Sequence, residues 1–323
     1  MRVKVWSLIG KTSVVASGLT VLTAVTLLSL AAEYTSLGDR LSHFTFYWAL
    51  LALSLVVLAS LGKRWILCAV GGLLFAVHAV PVLRLWLPDS DVPSPSVNAV
   101  EITVVSANLY VNNARQPEAV AKLMELSPDL LVLMEVGDRW QPALRPILAR
   151  FAYTVGTDGD FWLLSRYPLR LAARTEIGGG GLSPLLEATL VAGDSAIRVV
   201  AIHAPTPRGA ARLAQQRRQA TDYARALNRD GAARCRMLIG DFNTTPFSKE
   251  FRHILKTTGL RDSSRGCGYH PTWGPRLPKE PLLPWLGVPI DHALVSDQVL
   301  VKERRVGTMP GSDHRYQETR LRF

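Results

Sequence analysis

Leu238-Ile239-Gly240-Asp241-Phe242-Asn243 is a short apolar run that leads directly into an acid and an amide. An apolar run of this kind is typical of a buried β-strand, and the burial of an unpaired carboxylate or amide is costly. The polar residues therefore indicate that the strand ends in a cleft. A second segment, Ser312-Asp313-His314, places an acid beside a histidine and has the same character. Together the two segments predict a sheet with functional side chains at the ends of its strands.

The same placement recurs along the chain after residue 99. Apolar runs typical of strands lead into polar residues, segments with helical spacing lie between them, and a hairpin is indicated around Gly193-Asp194. Strands and helices are thus mixed, which predicts an α/β fold with mixed sheets. The candidate site residues at the strand ends are Asn108, Glu135, His203, Asp241, Asn243, Asp291, Asp313 and His314.

The chemistry of these side chains favours a hard cation. Several carboxylates lie at strand ends with no lysine or arginine beside them, and carboxylate and amide oxygens suit Mg²⁺ or Mn²⁺. Histidines can move protons near neutral pH. A metal, an acid that orients water and a histidine together indicate hydrolysis of a phosphate ester. The cysteines show no zinc spacing, and a Cys235–Cys267 disulfide is left open.

Residues 1–87 are predicted to form a membrane domain. Three uncharged apolar stretches, 12–32, 44–62 and 65–83, are each long enough to cross a hydrocarbon core of about 30 Å. A cleaved signal peptide is the alternative for the first stretch. Basic residues precede the first stretch and separate the second from the third, which predicts a cytoplasmic N-terminus and an extracytoplasmic C-terminal domain. These residues are Arg2, Lys4, Lys11, Lys63 and Arg64.

Residues 88–98 are rich in proline and serine and are predicted to be a stiff linker. The domain that follows, 99–323, is long enough for a core of its own. The whole chain has 37 Lys and Arg against 26 Asp and Glu, and removing the 7 and 2 in residues 1–88 leaves 30 against 24 after the first segment. This excess weakly favours an anionic substrate or anionic lipid headgroups.

The ordered set of motifs resembles the endonuclease/exonuclease/phosphatase superfamily over residues 100–323. The resemblance implies a DNase-like two-sheet α/β sandwich, here preceded by three transmembrane helices. With those helices it is most similar to membrane-anchored bacterial members, which implies the bacterial inner membrane. The motifs are Ser106-Ala107-Asn108, Leu133-Met134-Glu135-Val136, Leu164-Ser165-Arg166-Tyr167-Pro168, His203-Ala204-Pro205, Gly240-Asp241-Phe242-Asn243, Pro271-Thr272-Trp273, Ile290-Asp291-His292 and Ser312-Asp313-His314.

The resemblance also implies a role for each candidate residue. Glu135 is the expected principal metal ligand, Asn108 lies near the metal and the phosphate, and Asp313 supports the metal site. Asp241 orients or deprotonates the attacking water. Asn243 holds a phosphate oxygen.

Three further roles concern the phosphate itself. His314 is expected to bind the scissile phosphate and assist proton transfer, and Asp291 to orient it. His203 donates a hydrogen bond to the phosphate or a proton to the leaving oxygen.

Two departures and several alternatives accompany this interpretation. Met134 stands where the family often has glutamine, which puts a supporting contact in doubt, and the Pro-rich segment 275–289 is either a rim loop or a simple surface excursion. The substrate is open between DNA, as for a nuclease, and a phospholipid or small phosphate ester, as for a sphingomyelinase-like phosphodiesterase. A catalytically inactive binding or sensor domain is the alternative from another class. The expected partners are the substrate and the lipid bilayer, and no obligate protein partner is inferred.

Overall fold

The computed structural model divides the chain into two compact units. One comprises Met1–Leu87 with Phe247–Lys249, and the other Pro88–Pro246 with Glu250–Phe323. The predicted linker beyond Pro88 and residues 276–285 of the Pro-rich segment lie outside the described residues. The described residues are 2–88, 99–156, 161–176, 184–206, 209–229, 233–275 and 286–323.

The first unit is helical. Two of its helical segments are long and apolar enough to cross a membrane, Ser13–Leu30 with a mean hydropathy of 1.9 and Trp65–Trp86 with 2.3. The second and third helices meet this test only together, and they are bent by 71°. The described helices therefore amount to two spans, or to three if the bent pair crosses as one, where the sequence predicted three. The helices are α1 (Arg2–Leu30), α2 (Ser36–Ser42), α3 (Thr45–Leu61) and α4 (Trp65–Leu83).

The second unit contains two six-stranded mixed sheets. Cys235 and Cys267 are both free in this unit, so the disulfide left open by the sequence is not formed. The strands are β1 (Glu101–Asn108), β2 (Leu130–Met134), β3 (Tyr153–Gly156), β4 (Phe161–Ser165), β5 (Leu169–Glu176), β6 (Pro184–Ala192), β7 (Ser195–His203), β8 (Cys235–Asp241), β9 (Arg261–Asp262), β10 (Asp291–Val295), β11 (Leu300–Thr308) and β12 (Arg315–Arg322); the helices are α5 (Gln116–Leu126), α6 (Gln141–Leu148), α7 (Ala210–Asn228) and α8 (Lys249–Thr258).

The two sheets pack face to face and are covered by helices. Sheet A has the order β11-β12-β1-β2-β4-β3 and sheet B the order β5-β6-β7-β8-β10-β9. Alternate residues of each central strand, such as Val132 and Ile239, fill the core between the sheets. The other faces pack against α5 and α6 on sheet A and against α7 and α8 on sheet B. This confirms the predicted two-sheet α/β sandwich, whose strands are apolar on both faces because both are covered.

The strand register brings the predicted site residues to one end of the sandwich. β1 and β2 are parallel, so Asn108 pairs with Met134 and Glu135 follows at the strand end. β7 and β8 are also parallel, and His203 pairs with Asp241. β10 runs antiparallel to β8 and therefore begins at this end, with Asp291 opposite Asp241. Both sheets thus deliver polar side chains to the same edge.

Candidate active site at the strand ends

Glu135 and Asn108 form the part of the site that belongs to sheet A. The Nδ2 of Asn108 donates to Glu135 Oε1 at 2.8 Å, and the backbone N–H of Val111 donates to Glu135 Oε2 at 3.2 Å. Glu135 has a φ of 56°, a left-handed conformation that is rare for a residue with a side chain. This turn directly after β2 directs the carboxylate towards Asn108 instead of continuing the strand.

Asp241 lies at the centre of the site and is almost fully buried. Its Oδ2 is 3.4 Å from Asn108 Nδ2, 3.6 Å from His203 Nε2 and 3.7 Å from His314 Nε2. Its Oδ1 accepts a hydrogen bond from the backbone N–H of Asn243 at 2.8 Å. Asp241 therefore links the residues of both sheets.

The environment of Asp241 disfavours its charge. Burial raises the pKa of Asp241 to about 6, and the nearby charge of Asp291 adds to this rise. The imidazoles of His314 and His203 oppose the rise. At neutral pH the carboxylate is therefore still ionised but much more basic than an exposed aspartate.

His314 and Asp291 form a buried pair. His314 Nδ1 lies 2.9 Å from Asp291 Oδ2. Burial lowers the pKa of His314, but the charges of Asp291 and Asp241 outweigh that effect and raise the pKa to about 10. With Nδ1–H bonded to Asp291, Nε2–H of the imidazolium faces Asp241 and the centre of the site. The arrangement suits a group that holds an anionic oxygen.

Residues outside the predicted set hold the pair in place. Thr272 Oγ1 accepts a hydrogen bond from the backbone N–H of Asp291 at 2.9 Å. Ser312 Oγ donates to the carbonyl of Asn108 at 2.8 Å and accepts from the backbone N–H of His314 at 3.0 Å. The sequence signal for both was their position within the Pro-Thr-Trp and Ser-Asp-His motifs, but their hydrogen-bond partners are distant in the chain.

The glycine before Asp241 allows the close approach of β7. Gly240 has a φ of 136°, and a Cβ there would lie 2.0 Å from the carbonyl oxygen of Ile202. Asn243, also left-handed at φ 49°, donates from its Nδ2 to the carbonyl of Ala204 at 2.8 Å. The Asn243 amide thus braces the loop after β7, and its predicted contact with a phosphate oxygen remains a prediction.

The structure shows the contacts of Met134 and Asp313, two residues that the sequence singled out. Met134, where glutamine was expected, is fully buried, and its Sδ accepts a hydrogen bond from the backbone N–H of Asp241 at 3.2 Å. The position therefore still contacts Asp241. Asp313 Oδ2 accepts from the indole Nε1–H of Trp273 at 3.2 Å, so its described contact is with an aromatic ring at the edge of the site. Its support of a metal remains a prediction.

The donor set fits a divalent cation. Among the described residues, the ion-pair partners of Glu135, Asp241 and Asp291 are the imidazoles of His203 and His314. The buried guanidinium of Arg304 acts on Asp291 from outside ion-pair distance. One oxygen or nitrogen from each of Asp241, Asp291 and His314 lies within 4.8 Å of the others, so this buried group can hold a metal ion. Clustered carboxylates supply the oxygen ligands that a hard cation binds.

Known proteins share this fold. The endonuclease/exonuclease/phosphatase from Bacteroides vulgatus is 18% identical with a TM-score of 0.57, covering 69% of this chain and 98% of that chain. A protein of the same description from Bacteroides thetaiotaomicron is 16% identical with a TM-score of 0.56, covering 70% and 99%. TDP2 from D. rerio, complexed with a single-strand DNA product, is 13% identical with a TM-score of 0.58, covering 68% and 98%. At these identities the likeness concerns the fold alone.

Family membership rests on the sequence. No curated protein matches the chain. The endonuclease/exonuclease/phosphatase family matches residues 105–314, a range that contains all eight predicted site residues and most of the second unit. The chain therefore belongs to the endonuclease/exonuclease/phosphatase family.

Proposed function

We propose that this protein is a metal-dependent phosphoric ester hydrolase that is anchored in a membrane by its N-terminal helices. Members of its family are in general phosphoester hydrolases. The observation that carries the proposal is the position of Asp241. Its carboxylate lies within 4 Å of Asn108, His203 and His314, and those residues come from both sheets. Burial of a carboxylate is costly, and a site that binds a cation or activates water gives a reason for it.

The metal ligands are proposed from the carboxylate and amide side chains. Glu135 and Asn108 would hold the ion, with Asp313 in support, while the compact group around Asp241 offers a second possible set. Asn108 Oδ1 accepts the backbone N–H of Tyr110, so a rotation of the amide would be needed to present oxygen to the ion. A bound Mg²⁺ or Mn²⁺ would stabilise charge on the phosphoryl oxygens and make water more acidic.

The protein's own groups account for the proton steps. Asp241, ionised yet basic because of its burial, accepts a proton from the attacking water. The Asn243 N–H holds one carboxylate oxygen and leaves the other directed at the site. His314, kept protonated by Asp291, donates its Nε2–H to a phosphoryl oxygen. His203 donates a hydrogen bond to the phosphate or a proton to the leaving oxygen.

The test is hydrolysis by the full chain purified in detergent. Bis-p-nitrophenyl phosphate and p-nitrophenyl phosphate would report diesterase and monoesterase activity with Mg²⁺, with Mn²⁺ and with EDTA. We expect Glu135→Gln and His314→Asn to lower the rate by about 10²-fold or more. Glu125→Gln and His253→Asn, at exposed positions, serve as matched controls. Unchanged rates in both site variants, or no activity with either metal, would refute the proposal and favour a binding or sensor domain.

The substrate is proposed to be a nucleic acid, a phospholipid or a small phosphate ester. A fold neighbour, the D. rerio TDP2, is complexed with a single-strand DNA product, and this supports testing DNA first. Single-stranded DNA and vesicles that contain sphingomyelin or phosphatidylglycerol should be offered to the same preparation. Cleavage of DNA that falls steeply with salt indicates a nuclease, whereas release of headgroups from vesicles indicates a lipid phosphodiesterase.

A further inference from the structure

Trp273 is unusual among the aromatic side chains of the second unit. In the part of this unit that the structure describes, three large apolar residues are at least 36% exposed: Trp273 at 37%, Tyr153 at 38% and Val111 at 36%. Tyr153 pairs with Ser165, which in turn pairs with Leu130 at the start of β2, the end of the sheet far from Glu135. Trp273 and Val111 instead lie next to site residues.

The backbone of Trp273 is fixed between two elements of the site. Its N–H donates to the carbonyl of Val288 at 3.0 Å, and Trp273 forms isolated β-bridges with both Val288 and His314. Thr272, the residue before it, accepts the backbone N–H of Asp291. Trp273 is therefore held between the Asp291 strand and the His314 loop, the two segments that form the buried pair.

The indole ring is fixed as well. Its Nε1–H donates to Asp313 Oδ2 at 3.2 Å, and the backbone N–H of Gly274 donates to the carbonyl of Asp313. An aromatic ring that is oriented in this way loses little entropy when a ligand covers it, and stacking of a flat group on tryptophan is favourable. An exposed, oriented ring beside the residue proposed to bind phosphate is suited to contact a group attached to that phosphate.

Val111 lies beside Glu135. Its backbone N–H donates to Glu135 Oε2, and the residue is exposed. Trp273, in contrast, is bonded to Asp313 and bridged to His314, the residue proposed to bind the phosphate.

We propose that Trp273 forms a subsite for an aromatic ring carried by one of the ester groups of the substrate. The inference rests on the proposed hydrolysis of phosphate esters and narrows its substrate class to esters whose organic group presents a planar ring. A nucleobase and a simple aryl group share this chemistry. An acyl chain does not, because it has no flat face to stack on the indole.

The test compares methyl phosphodiesters whose second ester group is thymidine 5′-yl, phenyl or hexyl. Hydrolysis by the full chain in detergent with Mg²⁺ is followed by chromatography. For each substrate, kcat/KM of a variant is divided by that of the wild type, so that the intrinsic reactivity of the ester cancels. The variants are Trp273→Ala, which removes the ring, Trp273→Phe, which keeps a ring but loses the N–H bonded to Asp313, and the control Tyr153→Ala.

We expect Trp273→Ala to lower kcat/KM about tenfold or more for the phenyl and thymidine esters and by no more than about threefold for the hexyl ester. Trp273→Phe should retain most of the preference, and Tyr153→Ala should change none of the three values. A fall only with thymidine identifies a nucleobase as the ring, and an equal fall with phenyl identifies a general aryl subsite. Melting temperatures of the variants report on folding.

Two results would overturn the inference while the proposed function stands. In one, Trp273→Ala lowers all three values equally, as expected if the residue only supports Asp313. In the other, the hexyl ester loses most, which indicates a subsite for an acyl chain. The inference also fails, and the proposed function stands, if the wild type hydrolyses a nitrophenyl phosphate but none of these three esters. If it hydrolyses neither set with Mg²⁺ or Mn²⁺, both fail.

Discussion

Asp241 combines a position at the centre of the candidate site with an unfavourable environment for its charge. The pKa of an aspartate in an unfolded chain is about 3.9, and burial raises the pKa of Asp241 in the folded protein to about 6. The folded state therefore binds the proton more tightly than the unfolded state. This residue's contribution to stability falls as the pH rises between these two values and is fully unfavourable above pH 6.

Asp241→Asn should therefore abolish hydrolysis and stabilise the metal-free protein. The amide removes the buried charge while keeping an oxygen that accepts the Asn243 N–H. With EDTA present, the melting temperature at pH 7 should rise by several degrees above the wild type, and the difference should shrink at pH 5. Asp297→Asn, at an exposed position, should change little. A lower melting temperature at pH 7 would contradict this account.

Asp291 should control the protonation of His314. The charge of Asp291 is the largest influence that raises the pKa of His314. Asp291→Asn should lower this pKa, so the imidazolium should lose its proton at a lower pH than in the wild type. NMR titration of the His314 ring in metal-free protein measures the shift directly, and the exposed His253 provides an internal control. An unchanged titration of His314 would show that burial and Asp241 set the value.

At this scale the sequence identifies residues better than it identifies their contacts. The motifs around Glu135, Asp241 and His314 identify candidate site residues, because the burial of polar groups at the ends of apolar strands is costly unless they have a function. No local pattern shows that the Met134 sulfur bonds to the Asp241 N–H, or that Asp313 bonds to Trp273. Those contacts join residues that only the folded sheets bring together.

Among the elements, the approach of β7 to β8 depends on Gly240. An alanine there would have to adopt a φ of 136° and place its Cβ 2.0 Å from the Ile202 carbonyl oxygen. Gly193, in the turn between β6 and β7, has a φ of 60° and open space around it. Replacing Gly193 by alanine therefore measures the cost of the backbone conformation alone. Replacing Gly240 adds the cost of a steric clash.

Gly193→Ala should lower the free energy of unfolding by about 1 kcal/mol, the usual cost of a left-handed conformation for a residue with a side chain. Gly240→Ala should lower it by at least twice as much and should also reduce activity, because His203 and Asp241 are the last residues of the two strands that are forced apart. Urea unfolding of both variants measures the difference. Equal losses would show that β7 moves away at little cost.

The sequence predicts some elements better than others for a physical reason. β2 and β8 are runs of apolar residues covered on both faces, and their pattern is visible locally. α6 contains Pro146 within the helix, which argues against a helix until tertiary packing against sheet A is considered. β11 is an edge strand that contains Lys302, Glu303 and Arg304 in succession. This run of charged residues interrupts the alternation of apolar and polar residues that would identify a strand.

For the whole molecule, if the N-terminal helices cross a membrane as proposed, the number of spans decides on which side the site lies. Three crossings from a cytoplasmic N-terminus place the second unit outside, and the Lys63-Arg64 segment inside. Two crossings, by α1 and α4 alone, reverse both positions. The sequence predicts a crossing by the apolar stretch 44–62, but in the structure α3 has 17 residues, or about 25 Å at about 1.5 Å per residue, slightly less than a hydrocarbon core.

Two reporter fusions in bacteria test the topology. Alkaline phosphatase, which is active only outside the cytoplasm, is placed after Arg64 in one fusion and after Phe323 in the other. Three spans with a cytoplasmic N-terminus predict an inactive first fusion and an active second one. The reverse result would indicate two spans and a cytoplasmic site. Fluorescent-protein fusions at the same positions provide the complementary signal.

The position of β12 has a consequence for when the site can work. This strand lies between β11 and β1, and Glu101 of β1 pairs with Arg322 of β12. The pairing of β1 with β12 can therefore form only after the C-terminal end of the chain has been synthesised. His314 immediately precedes β12 and gains its register from that pairing. A chain that ends before His314 would carry Glu135, Asp241 and Asp291 but would lack the imidazole proposed to bind the scissile phosphate. We therefore expect such an unfinished chain to be inactive.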